Sequence, residues 1–68
     1  MNDKLNKCKA RLERSLKRAE ERAEYLEQRK DKLSPHGYWD LGYFHGKASA
    51  YDLAIELIDN ILEDSNKE

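Results

Sequence analysis

Apolar residues return along the first half of the chain at Leu5, Leu12, Leu16, Ala19, Ala23, Leu26 and Leu33, at intervals of seven, four, three, four, three and seven. A period of about 3.5 residues is that of a coiled-coil seam, and it predicts one helix over residues 3–33 with a single sticky side. Lys9 and Lys30 interrupt the seam and are expected to carry their ammonium groups outward on flexible stems. Breakers then gather at Ser34, Pro35, His36 and Gly37, predicting a turn over 34–37. Ser34 is suited to cap a second helix, and Pro35 to its first turn, where a missing N–H costs nothing. The second helix is expected over about 35–63, followed by a frayed tail at 64–68. Its main stripe is Leu41, Phe44, Ala48, Tyr51, Ile55, Ile58 and Leu62, spaced three and four without exception. The two stripes meet across a short turn, so the pattern predicts an all-α, coiled-coil-like antiparallel two-helix hairpin formed by residues 1–68 as one domain.

The second helix carries more apolar surface than one partner can cover. At about 100° per residue, His45, Ser49, Asp52, Glu56, Asp59 and Glu63 form a polar wedge about 80° wide. Nearly opposite the main stripe lie Trp39, Tyr43, Gly46, Ala50, Leu53 and Leu57, with Ala54 and Ile61 joining the two apolar sectors. Leaving the large side chains in water forfeits on the order of 1.5–3 kcal/mol each, a heavy loss for so short a domain. Gly42, Gly46, Ala50 and Ala54 recur every four positions. Glycine inside a helix costs about 1 kcal/mol relative to alanine, so two of them point to close backbone contact or to local accommodation of Trp39 and Phe44. Gly42, Gly46, Ala50, Leu53, Ala54, Leu57 and Ile61 are therefore the expected self-association surface. The expected product is a homodimer, as a four-helix bundle, or a larger ring.

Composition changes this picture in one respect. The 68 residues carry a net charge of -1, but residues 1–34 hold eleven Lys/Arg against seven Asp/Glu and residues 35–68 hold two against seven. In an antiparallel hairpin that division sets Lys7, Arg11 and Arg14 near Glu56, Asp59, Glu63 and Asp64, so internal neutralisation is the preferred reading. Nucleic-acid binding through Lys4, Lys7, Lys9, Arg11, Arg14, Lys17 and Arg18 ranks last, because no aromatic residue interleaves that segment. No apolar run approaches the roughly 18 residues of a membrane span, and the first residues lack a secretory pattern. With Cys8 as the one cysteine, a cytoplasmic protein without membrane contact is expected. Cys8 itself, at the edge of the seam, reads as a small buried residue.

Catalytic chemistry is not expected. The chain has no phosphate-binding glycine loop, no nucleophile elbow and no second layer to enclose a pocket. His45, Asp52 and Glu56 share the polar wedge without a Glu-x-x-His frame, so they read as a solvated acidic stripe and no metal or cofactor is assigned. The better binding surface is the aromatic cluster near the turn, where Tyr38, Trp39, Tyr43, His45 and Lys47 are the candidates for contact with a partner or ligand. The same rings can equally seal the end of the bundle.

The segment Gly37–Ile58 opens with aromatics at Tyr38 and Trp39, continues through Leu41, Gly42 and Tyr43 to Gly46, and ends in an aliphatic stretch. It resembles the second half of many small, uncharacterised accessory proteins carried by bacteriophages. The resemblance implies a protein that meets a host protein in the host cytoplasm, with a defence component as one such target, and inhibits or modulates it. It also implies an alternative, an oligomeric sponge for a nucleotide signal, with Trp39, Tyr43, His45 and Lys47 around the base and phosphate. The secreted WXG-type hairpins do not fit, since Trp39 and Gly42 are separated by one residue too many and lie inside the helix.

Overall fold

The computed structural model describes the backbone of residues 2–67 and the side chains of residues 2–64. Helix α1 spans Asn2–Glu27, a single 3-10 turn follows at Lys30–Lys32, and helix α2 spans Pro35–Lys67. The helices pack antiparallel as a straight rod with principal extents of 53 × 15 × 15 Å.

The start of α2 follows from its first residues. Ser34 Oγ accepts a hydrogen bond from the Gly37 N–H at 3.2 Å, while the Ser34 carbonyl accepts from the Tyr38 N–H at 3.1 Å and begins the helical ladder. This is an N-cap with proline at the first helical position. Glycine at position 37 spares Leu33 a crowded contact: a Cβ here would come within 3.0 Å of Leu33 Cδ2 and 3.2 Å of Leu33 Cβ, and Leu33 would have to shift by a few tenths of an ångström.

Two boundaries differ from the sequence expectation. The first helix does not run to Leu33; α1 ends at Glu27, and the chain tightens into i→i−3 hydrogen bonds, from Arg29 N–H to Leu26 O and from Lys32 N–H to Arg29 O. The reason is closure: helix axes stand about 8–10 Å apart, and the chain needs several residues of tighter, then extended, backbone to cross that gap. Leu33, at φ -75 and ψ 138, is the extended residue. At the other end, the chain is helical through Lys67 where fraying was expected from residue 64. Residues 64–67 include neither glycine nor proline, so nothing local stops the ladder. Glu68 lies outside the described residues.

The core sits toward the turn. Ala19, Ala23 and Leu26 of α1 are buried, as is Leu41 of α2, and Leu33 and Phe44 pack against this cluster. Alanines at the centre let the helices approach closely, and the larger Phe44 fills the space they leave. Leu12, Leu16, Tyr51, Ile55, Ile58 and Leu62 continue the seam but stay half-buried. Among the described residues no large side chain is fully buried, as expected of two helices with water on every other side.

Cross-helix charge pairing also differs from expectation. Lys9, expected to point outward, reaches across to Asp59 with a 2.6 Å contact, whereas Arg11 and Arg14 remain exposed. Lys9 lies in the seam beside Asp59, and its flexible stem lets the ammonium reach that carboxylate. The hydrogen bond to Asp59, supported by the charges of Asp59 and Glu13, holds the Lys9 ammonium above its ordinary 10.5 despite some opposing desolvation. A raised ammonium contributes stability that is whole below pH 10.5 and is lost as pH climbs through the folded value. Urea midpoints measured from about pH 9 to about pH 12 are therefore expected to fall further for the wild-type chain than for Lys9→Met; parallel declines would remove the pair from the account.

Candidate functional site

The long helix α2 presents its second apolar face to water. Trp39 is 74% exposed, Leu53 57% and Leu57 54%, and Tyr43 and Ile61 are about half exposed. Gly42, Gly46 and Ala50 lie exposed among them. A Cβ added at Gly42 or Gly46 would meet nothing within 4 Å, so the hairpin itself supplies no contact that calls for glycine there. Ala54 departs from the expected set: it is half-buried, at the edge of this face turned toward the seam.

The expected aromatic binding cluster divides into parts. Tyr38, Trp39, Gly42 and Tyr43 line one open depression of about 420 Å³ near the turn. Within it Tyr38 has a structural task, because its hydroxyl donates to the Lys30 carbonyl at 2.6 Å. That carbonyl belongs to the 3-10 turn and also accepts a longer bond from the Leu33 N–H at 3.4 Å, so Tyr38 adds a second, shorter bond that ties the connection to the first turn of α2. Tyr43 stacks edge-on to Phe44 at a centroid distance of 5.2 Å. The Lys47 ammonium stands 5.1 Å from the Tyr43 ring centroid. The adjacent Tyr43 hydroxyl, with a smaller effect from Tyr51, holds that ammonium above its ordinary 10.5. His45 is elsewhere: its Nε2 is 3.4 Å from Glu27 Oε2, across the seam. At about 100° per residue, His45 and Lys47 fall on opposite sides of α2, so Trp39, Tyr43, His45 and Lys47 do not converge on one nucleotide-sized pocket.

The two sides of the seam carry opposite charge. On one side Glu20, Glu24 and Glu27 of α1 meet His45 and Ser49 of α2 around a depression of about 470 Å³, and Asp52 lies farther along with Leu16 and Ser49. On the other side Ser15 and Arg18 of α1 meet Phe44, Lys47 and Tyr51 around a smaller trough of about 150 Å³. Lys4, Lys7 and Arg11 continue this second side toward the start of α1, beside Cys8. Cys8 is exposed, not buried as expected, because the seam narrows to half-buried contacts at this end of the rod.

Sequence reasoning passed over Tyr25. It is 45% exposed, and the guanidinium carbons of Arg22 and Arg29 lie over its ring at 5.1 and 4.1 Å from the centroid. The i−3 and i+4 spacing of these arginines about Tyr25 was visible in the chain and is the signal that could have found the stack. Among the described residues no group of three or more His, Cys, Asp or Glu side chains is placed to hold a metal ion, and no helix is long and apolar enough to cross a membrane. No family model matches the chain, and neither a curated protein nor a solved structure matches it.

The task assigned to Tyr38 is open to measurement. Tyr38→Phe keeps the ring and removes the donor, and is expected to lower stability by about 1 kcal/mol in urea unfolding followed by circular dichroism. An unchanged midpoint would return Tyr38 to the surface available for binding.

Proposed function

We propose that this chain is a non-enzymatic interaction protein that works as a self-associated hairpin, pairing α2 with α2 of a second copy. The observation that supports this reading is the exposed apolar face Trp39–Ile61, together with Gly46, a helical glycine that faces open space. An interior glycine lowers helix stability by about 1 kcal/mol, and a closely approaching backbone gives it a use.

A second copy fits this face by shape. In an antiparallel pair with its two-fold axis between Leu53 and Ala54, Ile61 of one copy falls opposite Gly46 of the other. Leu57 then falls opposite Ala50, and Leu53 beside Ala54. Each large side chain meets a small residue, which is what an isologous, self-complementary interface demands. A parallel pair would instead set leucine on leucine and glycine on glycine. It would also align the helix dipoles head to head, whereas the antiparallel pair opposes them favourably. The result is a four-helix bundle with α1 on the outside.

Trp39 and Tyr43 lie past the end of the paired stretch Gly46–Ile61. They are left to anchor a further protein, and in the phage setting implied by the sequence resemblance that protein belongs to the host. Tryptophan and tyrosine are favoured anchors because each buries a large rigid surface at small entropic cost.

Light scattering is expected to give about twice the 8.0 kDa of the chain. Ala50→Glu, at an exposed position of the hairpin, is expected to return the mass to that of one copy with the helical signal retained. A single-copy mass for the wild-type chain across the micromolar range would overturn the pairing.

A further inference from the structure

We infer that the cationic side of the hairpin is a track for the phosphate backbone of a single-stranded nucleic acid. Lys4, Lys7, Arg11, Arg14, Arg18 and Arg22 follow one another at intervals of three or four residues, and Tyr25 and Arg29 continue the row. All of these positions are exposed. That spacing keeps Lys4 to Tyr25 on one face of α1, with successive charges about 5 Å apart along its axis, and Arg29 follows in the connection. Among the described residues no carboxylate comes within ion-pair distance of Arg11, Arg14, Arg18 or Arg22. Glu20, Glu24 and Glu27 belong to the opposite side of the seam, while Asp3 and Glu21 fall at the outer edge between the two.

A solvated helix gains support where opposite charges interleave at i, i+4, as Asp3 with Lys7, Glu13 with Lys17 and Lys17 with Glu21 do on α1. Along the row from Lys7 onward the neighbours at i, i+4 are alike, as in Lys7 with Arg11, Arg14 with Arg18, and Arg18 with Arg22, and they repel. A linear polyanion lying along the row relieves the repulsion and releases its condensed counterions. Internal neutralisation by α2, which the composition suggested, does not take place at these residues.

Three features favour a nucleic-acid strand over a lipid surface or an acidic protein. The row is rich in arginine, whose planar fork grips phosphate with its edges. Its one uncharged member is Tyr25, whose ring lies under the Arg22 and Arg29 guanidinium groups; a base stacks on a guanidinium plane as it does on a ring, whereas an interfacial helix would carry aliphatic anchors. The trough beside it adds Lys47 and the ring of Tyr51 next to Arg18, so cations and aromatic faces share one side. Unpaired bases can use those faces; a closed duplex cannot. The row lies on α1 and does not depend on the pairing through α2.

The test is fluorescence anisotropy of a labelled 20-nucleotide oligothymidylate with the full chain at several salt concentrations. Binding is expected, with a slope of log K against log salt of about -3 to -5, for four to seven phosphates at about 0.7 each. Arg11→Gln/Arg18→Gln/Arg22→Gln is expected to weaken binding at least tenfold and to flatten the slope. Glu20→Gln/Glu24→Gln, on the other side, is expected to leave the slope unchanged, which separates a local track from net charge. Tyr25→Leu is expected to weaken binding severalfold at constant slope, and circular dichroism checks that each variant stays helical. No binding at low salt, or binding indifferent to the triple substitution, overturns the inference. Binding to phosphatidylserine vesicles or to polyglutamate without binding to the strand overturns it as well, and reassigns the row to a lipid or protein partner.

Discussion

A pair of helices has one seam, and each helix can turn only part of its circumference into it. In this chain the seam is narrow, with Ala23 and Leu26 against Leu41, Leu33 and Phe44 near the turn and half-buried leucines and isoleucines beyond. Everything else follows from how the remaining surface is divided. On α1 the remainder is charged and can stay in water at little cost. On α2 much of it is apolar, and the hairpin has no third element to cover it. Stability is accordingly spread over many partly buried contacts, with the cap at Ser34, the Tyr38 hydroxyl on Lys30 and the Lys9–Asp59 contact fixing ends and register.

The three kinds of surface are kept apart. The row from Lys4 to Arg22 lies on one side of the seam and Glu20, Glu24 and Glu27 on the other, with Lys9 and Lys17 outside that row, and the apolar face of α2 takes a third sector. Separation of this kind lets one small rod present different chemistry in different directions, so contact along α2 does not consume the charged row on α1. The acidic side includes one contact across the seam, between His45 and Glu27. Charge asymmetry between the two halves of the chain therefore has a spatial meaning that the balanced total conceals.

Helical periodicity made the hairpin legible from the chain, because intervals of three and four residues leave no other regular structure. The turn was equally plain, since Ser34 and Pro35 are both a stop and a start. Periodicity places a residue on a face but does not choose among neighbours across the seam. Lys9 was expected in water, yet the stagger of the helices brings Asp59 within its reach. Tyr38 was expected among the residues that contact a partner or ligand, while its partner is a backbone carbonyl of the connection, invisible to any pattern of side chains. The end of α1 at Glu27 was hidden for a similar reason: the residues from Gln28 to Lys32 are good helix formers, and it is the distance to α2 that stops the helix. The stack at Tyr25 depends on rotamers of Arg22 and Arg29 that sequence does not specify.

The rod shape has a hydrodynamic consequence. Its radius of gyration is 15.5 Å, whereas a compact domain of this length would have about 11 Å. An elongated particle drags more solvent than a sphere of equal mass, so the lone hairpin sediments slowly and migrates in a sieving column as though it were heavier. A second rod laid alongside thickens the particle without lengthening it much. Friction then rises more slowly than mass, and the paired form tumbles more like a sphere than either copy alone.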